Sequence, residues 1–456
     1  MCAPYLTAPL FFGSLDTMKR LIRGDILTYS GDPWYQPVDT VRHYIEQGAI
    51  LVDDGHITAV GPAKDLRRAI GPEIPVDDYT GHLLLPGFVD AHVHYPQTEM
   101  IGAHGHQLID WLNTYTFVTE QCFADPAHAS EVARVFLQEQ LRNGVTSSCV
   151  FCTVHPQSVE ALFTAAAEHN LRIIAGKVCM DRHAPAALLD TAETAYADSR
   201  ALLEKWHGKG RAEYAITPRF APTSSPAQLA ACGALAREFP GVVIQSHVSE
   251  NRDEVVWAQS LFPAARHYTD IYLQHGLLRP RAVYGHGVHL SDAELDCFAA
   301  CGAAIAHCPT SNFFLGSGYL DVNRVKQRSR PVAIGLATDL GAGTSFSMLQ
   351  TLNEAYKAAK LSHSSLPASH AFYLATRGSA EILGIADKVG ALQAGMEADV
   401  TVLNWRSTPL IDYRMRYAND LEEALFIQMT LADDRAIAAT YVAGERVHEA
   451  PGECQL

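Results

Sequence analysis

The chain has no run of about 18 apolar residues, so no membrane-spanning helix is expected. It has no long block of like charge, no internal repeat and no low-complexity tract. Only 19% of its residues are charged and 48% are hydrophobic, a balance that excludes a disordered chain. Positive charge is in short supply. A formal net charge of −15 repels a polyanion such as nucleic acid, whereas a small neutral or cationic ligand meets no such barrier. The ten cysteines are scattered and suggest no disulfide framework, which fits reduced thiols in a cytoplasm. Cys149 and Cys152 make one C-x-x-C, but it lies inside an apolar run without a partner pair and reads as core. No basic residue precedes the first apolar stretch, which Pro4 and Pro9 interrupt, so it does not resemble a signal peptide. Regular patterning begins at Met18, leaving residues 1–17 as an extension.

What is present is a rhythm. Eight short apolar runs recur, most followed by amphipathic stretches that begin with Asp, Ser or Pro. They are Leu83–His94, Val145–Thr153, Arg172–Met180 and Glu213–Pro222, then Gly241–Glu250, Ala282–Leu290, Ala303–Asn312 and Pro331–Leu340. Near-continuous apolar strands alternating with helices indicate a parallel sheet buried on both faces, and eight such units indicate a (β/α)8 TIM barrel. Residues 83–389 are expected to form that barrel. Residues 18–82 and 390–449 read as short strands with turns, and could join as one small β-sandwich built from both chain ends, followed by a tail over 450–456.

In such barrels reactive groups sit at the C-terminal ends of the strands. The first run ends in His92-Val93-His94, where strand alternation puts both imidazoles on one side. His247, His286 and Asp339 stand near the ends of the fifth, sixth and eighth runs. Paired neutral imidazoles suit Zn²⁺, and a hydrolytic zinc needs three protein ligands and an open position. A hydrolytic site also needs a carboxylate to shuttle protons. Glu250 lies three residues past His247, at the expected strand mouth, though an acid there suits a helix start equally well. Taken alone, Gln97 reads as a surface or capping residue, Arg219 as a salt-bridge partner and Phe220 as core.

The string Pro86-Gly87-Phe88-Val89-Asp90-Ala91-His92-Val93-His94 resembles the first-strand signature of amidohydrolases. SHVSEN and ATDLGAG are similar to the later motifs of their metal-dependent deaminase branch. Within that branch HVHYPQTEMIGAHG, ITPRFAPTSS, QSHVSENRDEV and HCPTSNFFLGSG resemble the guanine deaminases, and the likeness spans roughly residues 20–445. The resemblance implies an amidohydrolase-type barrel that hydrolyses guanine to xanthine and ammonia. It implies one Zn²⁺ per chain, with Fe²⁺ as the alternative, held by His92, His94, His247 and Asp339. It makes Asp339 the acceptor of the attacking water's proton and Glu250 the proton carrier. His286 would be the hydrogen-bond partner of the water or a further ligand, and Gln97, Arg219 and Phe220 the base-binding residues. It also implies a homodimer.

Other features are discounted. His104-Gly105-His106 is a second H-x-H, but it falls in the long segment after the first strand and reads as part of a lid. That lid is expected over residues 98–121, where Trp111, Tyr115 and Phe117 could cover a flat base. No lysine ends the fourth run, and Lys177 in the third is no substitute, so one metal is expected rather than two. No P-C-x-x-C occurs, which excludes the other zinc-deaminase arrangement. The competing readings are an amidohydrolase for another aminated heterocycle, such as a triazine or pterin, and a scaffold protein that retained the fold.

Overall fold

The computed structural model describes residues 19–104 and 108–451. The expected extension over 1–17, most of the tail and Gly105-His106 lie outside the described residues. The first four strands are β1 (Arg20–Tyr29), β2 (Arg42–Asp53), β3 (His56–Pro62) and β4 (Val76–Pro86). A second series follows: β5 (Phe88–His94), β6 (Val145–Phe151), β7 (Arg172–Gly176), β8 (Val178–Cys179), β9 (Ala212–Pro218), β10 (Val243–Val248), β11 (Ala282–His286), β12 (Ala304–His307) and β13 (Ala333–Leu336). The last three are β14 (Val400–Asn404), β15 (Ile437–Val442) and β16 (Glu445–Glu449).

Each of the eight apolar runs yields a barrel strand, all paired in parallel in the order β13-β12-β11-β10-β9-β7-β6-β5, while β8 pairs with β9 alone. The strands alternate with helices whose starts are capped by Asp125, Ser225 and Ser291, each accepting from a backbone N–H in the first turn. Asp90 helps to close the barrel. Its carboxylate accepts from the backbone N–H of Thr338 at 3.0 Å and from the Thr338 hydroxyl, while the Asp339 N–H donates to His92 O at 3.0 Å. Inside lie small and branched side chains, among them Val89, Ala91, Ile174, Ala215 and Val283. Ile382, Leu383 and Ile385, from the chain after the last barrel strand, belong to the same cluster.

Both chain ends build a second, seven-stranded sheet in the order β16-β15-β14-β4-β1-β2-β3. Its two halves meet where β4 pairs antiparallel with β14, from His82 opposite Asn404 to Pro86 opposite Val400. The chain passes from this sheet to the barrel at Gly87, so the first apolar run divides between the two and the change falls later than residue 82. Between β14 and β15, where the sequence suggested short strands, Pro409–Met415 and Leu421–Leu431 are helical. Asp420 caps the second of these, and its Leu425, Ile427 and Met429 are buried. Among the described residues no helix is long and apolar enough to cross a membrane.

Candidate active site

The mouth of the barrel is built by irregular backbone at the strand ends. In β5 the pairing register slips between Asp90 and Val93. Val89 and Ala91 therefore face the interior while Val93 packs outside, and the slip returns His92 and His94 to the inside. Gly285 makes room for the His92 ring, since a Cβ there would come 2.7 Å from its Cε1. Three non-glycine residues at this mouth have left-handed backbone, Ser249 (φ 50°), His286 (φ 73°) and Asp339 (φ 48°). Such conformations cost energy and persist where the surroundings enforce them.

One donor atom from each of His92, His94, His247 and Asp339 lies within 4.8 Å of the other three. The Asp339 Oδ1 is 3.4 Å from the Nε2 of both His92 and His94, and the His94 and His247 Nε2 atoms are 3.1 Å apart. His247 Nδ1 donates to Arg219 O at 2.7 Å, which leaves its Nε2 with a lone pair directed at the cluster. The buried His92 Nε2 has no hydrogen-bond partner at all. Burial and the neighbouring rings hold the His94 and His247 imidazoles well below their ordinary pKa, so both are neutral. Burial alone would raise Asp339. The adjacent His92 and His286 imidazoles outweigh it and bring the carboxyl down to about 2. Three neutral imidazoles and a carboxylate with converging lone pairs fit a divalent metal ion. A second group, His92, His286, Cys308 and Asp339, shares two of these residues, and its Cys308 was not singled out in the sequence.

Glu250 is buried at this mouth, not exposed at a helix start, because Asn251 and Glu254 form the capping box of the next helix instead. Its Oε2 stands 3.4 Å from His286 Nε2, and its Oε1 accepts from Ser317 Oγ at 3.2 Å. Burial pushes its carboxyl up to about 7, despite the nearby His286. His286 Nε2 also lies 3.8 Å from Asp339 Oδ2, and its Nδ1 is 2.9 Å from the Asn312 amide oxygen. That oxygen can only accept, so it fixes the proton on Nδ1. Asn312 lies in the short helix Pro309–Phe314 after β12 and Ser317 just beyond it; they stand in the HCPTSNFFLGSG string but carry no signal of their own.

Beside these groups is a cavity whose empty space, its open mouth included, is about 410 Å³. Gln97, Arg219 and Phe220 all line it, together with Glu250, His286 and Asp339. Its roof is Leu108, Trp111 and Leu112, from the segment expected as a lid. That segment is helical and π-helical over Leu108–Glu120, and Phe117 packs beneath the Arg219 guanidinium. Arg219 Nη1 bonds both carboxylate oxygens of Glu120, at 2.8 and 2.7 Å. Arg219 thus both lines the cavity and makes the salt bridge that its residue type alone suggested. Glu120 escaped the sequence reading, since nothing local ties an acid in this segment to the end of the fourth barrel strand. Lys177 is committed to an ion pair with Asp190, and Cys149 and Cys152 are buried free thiols.

A closed parallel barrel with a metal-capable donor set and a buried acid at its strand ends defines a class, the hydrolase barrels that act through a bound ion. The pattern of the Amidohydrolase family matches residues 83–447, and that of a bacterial imidazolonepropionase-like composite domain matches residues 48–69. Guanine deaminase of Escherichia coli (strain K12) is 48% identical over 414 residues, covering 91% of this chain and 94% of that protein. The solved E. coli guanine deaminase matches with a TM-score of 0.92 and 45% identity, over 96% of this chain and 100% of the other. The structure of guanine deaminase from C. acetobutylicum, with guanine bound in its active site, matches with a TM-score of 0.84 and 28% identity, over 94% of this chain and 100% of the other. The chain belongs to the amidohydrolase family and, within it, to the guanine deaminases.

Proposed function

We propose that the chain hydrolyses guanine to xanthine and ammonia. The observation that carries this reading is that one cavity is lined both by Arg219 and Gln97 and by Glu250, His286 and Asp339. Arg219 makes its bonds to Glu120 through Nη1, so Nε and Nη2 remain for a ligand carbonyl. A donor there suits O6 of guanine and directs C2, with its amine, toward the opposite wall. Phe220 and Trp111 give the flat ring apolar cover.

His92, His94, His247 and Asp339 would hold the ion, which we take to be a single zinc, with iron as the alternative. When bound, such an ion polarises water and lowers its pKa from ~16 toward ~7. Asp339 accepts the proton that the water gives up. Glu250, whose raised pKa lets it carry a proton near neutrality, delivers one to N3, the ring nitrogen beside C2. The water oxygen bonds to C2, and His286 steadies it through Nε2. The proton of the new C2 hydroxyl then passes through Glu250 to the amine, the C2–N bond breaks as the C2 carbonyl forms, ammonia leaves, and the proton held by Asp339 returns to Glu250. In this reading the substrate is a small molecule, and the working form is a cytoplasmic homodimer.

Adenine tests the assignment. It carries an amine at C6, a donor that would face a cation able only to donate. An unsatisfied buried pair costs roughly 1–3 kcal/mol, and more when charged. Initial rates of ammonia release should be high on guanine and very low on adenine, and Arg219→Ala should lose most guanine activity while retaining the metal. A parent protein that deaminates adenine as readily as guanine would overturn the reading, and strong activity on a triazine or pterin alone would redirect it.

A further inference from the structure

Arg219, which lines the cavity, is held by a side chain that carries no signal in the sequence. Glu120 has no solvent exposure, and its carboxylate takes both recorded bonds of the Arg219 Nη1. This acid comes from the roof segment, so the roof and the wall formed after β9 are tied together. By taking Nη1 it leaves Nε and Nη2 of Arg219 as the donors for a ligand carbonyl.

The charge balance has a consequence for the reaction. Arg219 and Glu120 are both buried and cancel each other, so this wall presents oriented dipoles with little net charge. Guanine is neutral near pH 7. Exchanging its amine for a carbonyl gives xanthine, a stronger acid that loses a proton just above neutrality. An uncompensated buried guanidinium would grip that anion through charge-assisted bonds. We propose that Glu120 is a specificity-determining positioning residue, which fixes Arg219 for the neutral base and denies the anionic product a free cation. This inference rests on the guanine reading above.

The test compares Glu120→Gln and Glu120→Asp with the parent, as metal-loaded protein, at pH 6 and pH 8.5. The readouts are KM for guanine and the inhibition constant of xanthine. In Glu120→Gln the guanine KM should rise, while xanthine inhibition should tighten relative to that KM by ~10-fold or more at pH 8.5 and little at pH 6. Glu120→Asp keeps the charge and should restore the parent's pH response. In the parent itself, xanthine inhibition should stay flat or weaken across this interval, a measurement that needs no variant to fold. Equal weakening of both bases by Glu120→Gln at both pH values would reduce Glu120 to a packing role and overturn the proposal. So would a parent that binds xanthine more tightly at pH 8.5. Absence of guanine turnover in the parent would instead strike the guanine reading.

Discussion

At the floor of the barrel, Arg172, Arg211, Arg281 and Lys388 meet Glu213, Glu397 and Asp399. Each of these charges touches an opposite one, and the network joins the barrel to the chain just before β14. The floor is not free of irregularity, since Arg211 Nε lacks a partner and Arg281 has left-handed backbone (φ 63°). At the mouth His92 Nε2, His94 Nδ1 and the Asn312 amide nitrogen lack partners, and three residues hold left-handed backbone. A buried cluster in which every charge meets its opposite is a fastening. One that gathers neutral imidazole nitrogens and a carboxylate oxygen within 4.8 Å of one another is arranged for a cation. Burial, strain and orphaned atoms do not separate the two; the sign and convergence of the donor atoms do.

The comparison can be broken from either end. The largest effect is expected at the mouth, where His247→Ala removes one converging donor. Metal content should fall to background, and ammonia release from guanine with it, since the water loses its ~9-unit pKa depression. Retained metal and turnover would show that the cluster is not the ion's seat. At the floor, Glu397→Ala takes a carboxylate from both Arg172 and Arg211. Arg172 keeps Glu213 and Arg211 keeps Asp399, so the lost charged hydrogen bonds should cost about 1.5–3 kcal/mol in urea unfolding, with kcat/KM on guanine unchanged where the variant is folded. A selective loss of catalysis would blur the distinction between the two ends. Glu250→Gln keeps shape and loses the exchangeable proton. Turnover should fall by at least ~10²-fold, about 2.7 kcal/mol of barrier, with metal and base binding kept. Near-parent rates would return Glu250 to a structural role. Asn312→Ala frees the His286 ring and should lower kcat/KM by about 10-fold, the smallest of the four effects. Equal rates would mean that His286 is oriented by other contacts.

The sequence made some of this legible and hid the rest for identifiable reasons. The barrel strands could be read because parallel strands buried on both faces leave near-continuous apolar runs. His92 and His94 could be read from their two-residue spacing, although the register slip in β5 that points them inward could not. Glu250 was balanced between two roles, and its burial decides between them, because Glu254 takes over the capping. The roof was expected as a loop, but Leu108, Trp111 and Leu112 recur at helical spacing and bury an apolar face over the cavity. Glu120, Asn312 and Ser317 are tertiary facts. Each reaches its partner across a long sequence separation, from Glu120 to Arg219, Asn312 to His286 and Ser317 to Glu250, and no local pattern encodes such pairings.

The central claim is that the lone pairs converging at the mouth hold a single ion on which guanine hydrolysis depends. The direct measurement is a zinc titration of chelator-stripped protein, following bound metal and ammonia release from guanine in the same samples. Activity should be absent in the stripped protein, rise in proportion to bound zinc and level off at one ion per chain. Full activity without metal, or a rise that continues to two ions per chain, would contradict the account.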